Sequence, residues 1–362
     1  MSDQQSAAGR SGLARGDARI VSALRSREVL LVRRPTGYPS LDDMALVETD
    51  VREPRDGEVV VRNAIMSVDP YMRGRMNEGK SYVPQFELGQ PMEAGTVGTV
   101  ISSRDPGMPE GTNVTHMLGW RDYAVLPAAH ARAIDAAAAP PSAYLGILGL
   151  TGLTAWVGLF DVADLKAGES LFVSAASGAV GSVAGQLAKM HGAKRVVGSA
   201  GSDEKAAYLC EELGFDAAFN YKNGDVRALL RDAAPGGIDV YFDNVGGAQL
   251  EAALASLNPF GRIAACGMIS QYNEQTPGPR NLPLIVGKRI RMQGFIVRDH
   301  EGRRGAFLAD VAPALRDGRL KSPETVVDGL ENAPQTLIDM LHGGGKHLGK
   351  VLVRIAAEGA TK

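Results

Sequence analysis

The chain has 362 residues, 44% of them hydrophobic and 22% charged, with a formal net charge of -2. That length accommodates two or three domains with a sizeable core, and the near-neutral balance gives no electrostatic reason for a nucleic acid or an anionic membrane as partner. Two cysteines, Cys210 and Cys266, exclude a disulfide framework and fit a reducing cytosol.

The first 26 residues open with MSDQQSAAGRSGLARGDARI, which lacks the apolar core of a signal peptide and reads as a flexible leader. Residues 28–135 then carry short β-rich runs such as EVVVRNAIMSVD (58–69) and AGTVGTVISS (94–103), separated by Pro and Gly turns. Little helical periodicity appears there, so a β-barrel-like domain is expected over 27–147. Within Ala136–Phe160 there is no charge, but Pro140, Pro141 and four glycines interrupt it. A membrane-spanning helix needs roughly 20 predominantly apolar residues, so this segment is expected to be a buried helix lining a cleft.

From Lys166 to Val297 strand-like runs recur at 170–175, 195–199, 217–221, 238–243, 262–267 and 290–297, with helical patterns in most of the gaps. Val180, Val183, Ala184 and Leu187 share one helical face. Such alternation implies right-handed crossovers and a doubly wound parallel sheet, expected over 148–318. The tail, 319–358, ends in the strand-like GKVLVRI and is expected to return to the first domain.

Where the first of these strands ends, SAASGAVGS (174–182) supplies Ala176, Gly178 and Gly181 in an A-x-G-x-x-G spacing. Gly178 would let bare backbone approach a diphosphate, Gly181 would let helix and strand pack closely, and the helix N-terminus would offer amides and dipole. A degenerate glycine motif is weak by itself; its place between a predicted strand and an amphipathic helix supports it. The tip of the second strand reads VVGSAGSDEK (196–205). Ser202 is expected as an N-cap, which puts Asp203 and Glu204 in the first helical turn. Lys205 could meet a 2′-phosphate, or be a solvated helix residue. NADP is favoured over NAD.

Zinc sites need three or four Cys, His or carboxylate ligands. Neither cysteine lies in a C-x-x-C pair, and histidines 116, 130, 191, 300, 342 and 347 are scattered, so no metal site is expected. No G-x-S-x-G stands for a hydrolase.

Seven segments carry a resemblance: SVDPYMRGRM (67–76), LGLTGLTAW (148–156), AASGAVG (175–181), GSDEK (201–205), FNYK (219–222), FDNVGG (242–247) and CGMISQYN (266–273). Together they resemble the zinc-free medium-chain dehydrogenase/reductases, in the prostaglandin reductase, alkenal/one oxidoreductase and curcumin reductase group. The resemblance implies an α/β protein with a GroES-like β-barrel domain and a Rossmann domain, dimeric through the Rossmann sheets. It implies NADPH held by Gly178, Ala179, Val180 and Gly181, with Lys205 on the 2′-phosphate and further contacts from Tyr221 and Asn244. Cys266, Gly267, Met268, Ile269, Ser270 and Tyr272 would form the cofactor loop, with Phe295, Ile296 and Val297 beyond it. The family's last contact, an Asn before Leu-Gly-Lys, is His347 here.

The chemistry expected is hydride transfer to the β-carbon of an α,β-unsaturated ketone or aldehyde. Negative charge then develops on the carbonyl oxygen, so donors aimed at it matter. Tyr272 is the first candidate because it follows a strand's C-terminal end; cofactor-loop packing is its alternative. Tyr82 reads either as a substrate contact or as an ordinary loop tyrosine. Tyr71 and Arg73 read equally well as functional or as a structural turn with Pro70, and Asn63 is a weaker substrate candidate. Met66, Met72 and Met76 read as core. Few charged candidates flank the site, so small apolar enones and enals are expected substrates. A quinone reductase on the same scaffold and a non-catalytic NADPH-binding regulator are the rival readings.

Overall fold

In the computed structural model, residues 24–274, 277–343 and 345–355 are described. The expected leader lies outside them up to residue 23, as do 356–358 of the expected tail.

β1 (Arg25–Leu31) and β2 (Met44–Asp50) form an antiparallel ribbon. The next strands are β3 (Glu58–Ser67), β4 (Thr96–Ser103), β5 (Asn113–His116), β6 (Tyr123–Pro127) and β7 (Arg132–Ala133). In β3 the run Val59-Val60-Val61 is wholly buried, so both faces of this strand are covered. Met66, Met72 and Met76 are fully buried beside it, in a cluster with Trp120, Leu337 and Val353.

A second sheet is built from β8 (Ser170–Val173), β9 (Arg195–Ala200), β10 (Ala217–Asn220), β11 (Ile238–Asp243), β12 (Leu257–Ala265) and β13 (Arg291–Gly294). Its order is β10-β9-β8-β11-β12-β13 and every pairing is parallel. Counted from β8, this is the 3-2-1-4-5-6 order of a Rossmann fold, with strand order reversing between β8 and β11. Leu171, Phe172 and Val173 are all fully buried, as an apolar run in a doubly covered parallel strand should be. Val183, Ala184 and Leu187 of helix Gly181–Met190 pack against it.

Two further strands, β14 (Glu324–Asp328) and β15 (Lys350–Arg354), join the first sheet in the order β14-β15-β3-β4-β5-β7, with β6 also on β3. The chain therefore enters that sheet twice.

One expectation about the elements changes. The strand expected over 290–297 stops at Gly294, and a 3-10 segment, Val297–Arg303, takes over. β13 is an edge strand, and nothing in the sheet beyond it pairs with Phe295, Ile296 and Val297 to hold them extended. The uncharged stretch forms helix Leu150–Val157, buried through Leu153, Ala155, Trp156 and Val157, and ends in a π-turn at Gly158–Val162. Among the described residues no helix is long and apolar enough to cross a membrane.

One buried group makes the fold acid-sensitive. His116, at the end of β5, is nearly inaccessible; its Nδ1 accepts from the Leu118 amide at 3.1 Å and its Nε2 has no partner among the described residues. Burial, then the Arg121 charge, lowers it from 6.5 to about 3. Between those values the unfolded chain binds a proton that the folded chain refuses, so stability falls as pH falls, by about 1.4 kcal/mol per unit from this group. Denaturant unfolding of His116→Asn, which keeps an acceptor for the Leu118 amide, should show a correspondingly flatter loss between pH 6.5 and 3.

Candidate active site

The reversal of strand order opens a crevice at the C-terminal ends of β8 and β11. Ser174 and the loop after β11 build its floor. The Asn244 side chain donates to the Ser174 carbonyl at 2.8 Å, and its backbone amide donates to the Ser174 hydroxyl at 2.9 Å. Asp243, fully buried, accepts from the Tyr241 hydroxyl at 2.7 Å and from the Val245 and Gly246 amides at 2.9 and 2.8 Å. Burial raises this carboxyl above its usual range against those hydrogen bonds. The Asp243 carbonyl also accepts from the amides of Cys266 and Gly267. One residue thus fastens two loops of the crevice together. Neither Asp243 nor Ser174 stands out in the sequence, because a lone acid at a strand end has no distinguishing spacing.

Over this floor the chain turns from β8 into helix Gly181–Met190. Ala175 sits at φ 48, and the helix has no side-chain N-cap. Among the described residues no partner is recorded for the backbone N–H groups of Ala179 and Val180. A Cβ on Gly181 would come within 2.5 Å of the Ala175 carbonyl oxygen and 2.7 Å of the Ala176 Cα, whereas one on Gly178 would meet only that oxygen at 3.3 Å. The two glycines therefore do different work. Gly181→Ala should destabilise the fold by about 2 kcal/mol, because backbone has to move. Gly178→Ala should leave the melting temperature nearly unchanged yet weaken binding of a dinucleotide whose diphosphate needs that open face; thermal unfolding and cofactor titration of both variants separate the effects.

Ser202 caps helix Asp203–Glu211, its hydroxyl accepting from the Lys205 amide at 3.3 Å. Asp203 is occupied by the Asn223 side chain at 2.7 Å, and Glu204 is held low by its hydrogen bond with Ser202. Lys205 is only 8% exposed, and among the described residues its ammonium has no hydrogen-bond or ion-pair partner. Burial, with the Lys222 charge behind it, lowers its pKa. Tyr221 lies alongside: a Cβ on Gly201 would be 3.5 Å from its hydroxyl. A buried, unpaired cation is costly unless an anion arrives. Together with the bare amides at 179–180, these residues fit a dinucleotide carrying a 2′-phosphate.

On the loops beyond β12 and β3, the Tyr82 phenol acts electrostatically on both Tyr272 and Tyr71. Tyr272 follows the 3-10 turn Ile269–Gln271, with its hydroxyl near Gly267, where a Cβ would stand 3.3 Å away. Burial first, then Tyr82, pushes it up to about 12, partly offset by a backbone hydrogen bond from Met268. Tyr82 is 61% exposed, and the protein that does surround its phenol raises it, with Cys266 contributing and Arg298 opposing. Tyr71 is raised by burial and by Asp69, and also feels Arg298 and Tyr82. Cys266 itself is pushed up to about 12, chiefly by burial, so it stays a neutral thiol.

Arg73 fixes the relation between these sides. It is buried, donating to Gly37 and Pro35 carbonyls, to Asn77 at 2.6 Å and to Asn273 Oδ1 at 3.0 Å. Asn273 adjoins Tyr272, so a barrel-side guanidinium braces the tyrosine loop. Beneath it a buried Asp69–Lys350 pair at 2.7 Å anchors the DPY turn to β15.

Other expected contacts fall differently. Asn63 is fully buried, its Nδ2 donating to the Leu118 and Arg121 carbonyls at 3.0 and 2.9 Å; it ties barrel strands together and presents no surface to a substrate. Ser270 is turned toward the Val245 carbonyl at 2.6 Å. Phe295 sets its edge to Phe242 and His300, and Val297 packs on the same core. A cleft of about 490 Å³ opens beside the Tyr82 segment, lined by Arg75, Phe86, Glu93, Arg121 and Arg298. Among the described residues no group of three His, Cys, Asp or Glu side chains could hold a metal ion.

Comparison with known proteins agrees with this geometry. Residues 27–134 match the family model for the N-terminal domain of oxidoreductases, and 179–310 match that of the zinc-binding dehydrogenases. The NADP-dependent 2-alkenal reductase of Nicotiana tabacum is 45% identical over 94% of this chain and 100% of its own. The NADPH-dependent curcumin reductase of Escherichia coli is 41% identical over 92% and 98%. The crystal structure of CurA from Vibrio vulnificus in complex with NADPH superposes with a TM-score of 0.86 at 39% identity, covering 91% of this chain and 99% of that one.

Proposed function

The chain belongs to the NADP-dependent medium-chain dehydrogenase/reductases, and from that premise we propose that it reduces the C=C bond of α,β-unsaturated ketones and aldehydes. The observation that carries this reading is the Tyr272 phenol on the loop after β12, within electrostatic reach of Tyr82 from the barrel side, in a chain whose Lys205 has no ion-pair partner among the described residues. NADPH, when bound, supplies the hydride that reaches the β-carbon.

The chain's own residues do the rest. Gly178, Ala179, Val180 and Gly181 offer main chain to the diphosphate, and Lys205 with Tyr221 receives the 2′-phosphate. Asn244 acts on the cofactor side through the Ser174 brace, and Cys266 to Ser270 with Phe295 to Val297 wall the nicotinamide end. Tyr272 donates a hydrogen bond from its phenol to the substrate carbonyl oxygen as charge gathers there, since its pKa of about 12 keeps the O–H in place at neutral pH, and solvent supplies the proton that completes the α-carbon. Tyr71 and Tyr82 contact the substrate from the barrel side. Arg73 positions Tyr272 through Asn273.

The same reading divides the chain into a substrate-side unit, 27–147 with 319–358, and a cofactor-side unit, 148–318. It assigns a cytoplasmic, metal-independent enzyme that dimerises through its Rossmann sheets. Support for the dimer comes from β13, an edge strand with Leu282 and Val286 exposed just before it. The test of function is NADPH consumption against enones, alkenals and quinones side by side. Turnover with the first two supports the proposal; consumption with quinones alone, or with none of them despite tight NADPH binding, overturns it.

A further inference from the structure

The segment Lys346-His347-Leu348-Gly349 lies directly on the phosphate turn. The Gly349 amide donates to the Ser177 carbonyl at 2.8 Å, and Gly349 bridges to Gly178. His347 therefore hangs beside the cofactor crevice. Its Nδ1 is buried without a hydrogen-bond partner among the described residues, and His347 lines a cavity of about 420 Å³ with Asp339, His342, Gly345 and Lys346. Lys205, the buried cation without an anion, is near enough for its charge to act on the imidazole.

Given the cofactor reading above, on which this rests, we propose that His347 is a further ligand of the cofactor's 2′-phosphate beside Lys205 and Tyr221, and that binding this dianion draws a proton from solvent onto the imidazole. His347 then helps select NADPH over NADH and ties that selection to pH.

The charged groups around His347 support this sense. Lys205 faces it from helix Asp203–Glu211, with Lys222 behind Lys205. Asp339 faces it from helix Ala333–Leu341, His342 from that helix's end and Lys346 from its own loop. Burial first and then Lys205 hold His347 below its usual value, against a smaller upward pull from Asp339. In the free protein it is therefore neutral near pH 7. A phosphate dianion reverses the balance and favours the charged form. His342 is already engaged elsewhere: its Nδ1 is 2.9 Å from the Ile338 carbonyl and its ring stacks on Tyr38 at 4.2 Å.

The experiment is calorimetric titration of the full chain with NADPH and with NADH, in buffers of different ionisation enthalpy. It is done just above pH 7, where a phosphate monoester with a second pKa of about 6 is already dianionic. Wild-type protein should take up about half a proton with NADPH and essentially none with NADH. His347→Asn should lose that uptake and bind NADPH about tenfold more weakly, with NADH changed less than about twofold. His342→Asn should keep the uptake, and Lys205 is common to all three proteins. Equal uptake with both nucleotides, no uptake with NADPH, or full uptake retained in His347→Asn overturns the inference. The first two are read on wild-type protein, so they hold even if a variant misfolds. A wild-type protein that gives no binding heat with NADPH sinks the cofactor reading itself, a result distinct from binding without proton uptake.

Discussion

Replacing Lys205 by glutamate should raise the NADPH dissociation constant by about 10²- to 10³-fold, while that of NADH moves by less than about threefold. The size follows from where the ammonium sits. The residue is 8% exposed and lacks a carboxylate partner among the described residues, so a phosphate reaching it meets a cation with no competing anion. A charge-assisted contact there contributes about 1.5–3 kcal/mol, and a glutamate adds repulsion where attraction stood. Lys205→Met separates recognition from folding. It removes the buried charge, so stability should hold or rise, while NADPH affinity still falls by about tenfold or more. Fluorescence titration with both nucleotides checks this; equal losses for NADPH and NADH would mean that Lys205 does not read the phosphate.

The second large effect is on turnover. Tyr272→Phe should lower kcat about 10²-fold, the usual consequence of deleting one donor to a developing oxyanion. NADPH affinity should change by less than about threefold, because the ring and its packing remain. The raised pKa of about 12 has its own signature. No inflection in kcat from this group should appear between roughly pH 6 and 9, where the phenol keeps its proton. Steady-state kinetics with cofactor binding measured separately decides the matter, and unchanged kcat would reduce Tyr272 to packing.

Much of the architecture could be read from the chain because it rests on local rules. The β8 turn declared itself through glycines at fixed spacing between an apolar strand and an amphipathic helix. Ser202 could be named as a cap because its hydroxyl needs only the amide three residues on, as found. The medium-chain dehydrogenase/reductase family was recognisable from seven ordered segments. What escaped depends on contacts between distant parts of the chain. Asp243 looks like any acid after a strand, yet it holds two loops. Arg73 looked equally functional and structural until its bond to Asn273, 200 residues away, was seen. Asn63 failed as a substrate residue because burial is not written in a residue's own identity; Leu118 and Arg121 decide it. The strand drawn over 290–297 ran on through apolar Phe295-Ile296-Val297, which instead leave the edge of the sheet.

The central claim is that hydride goes to carbon of a conjugated double bond, and isotope placement tests it most directly. With NADPH deuterated at both C4 positions of its nicotinamide and a simple enone, the product should be the saturated ketone. It should carry one deuterium, at the β-carbon, for each cofactor consumed. Deuterium at the carbonyl carbon of an allylic alcohol, or cofactor oxidation that leaves the enone unlabelled, would contradict the account.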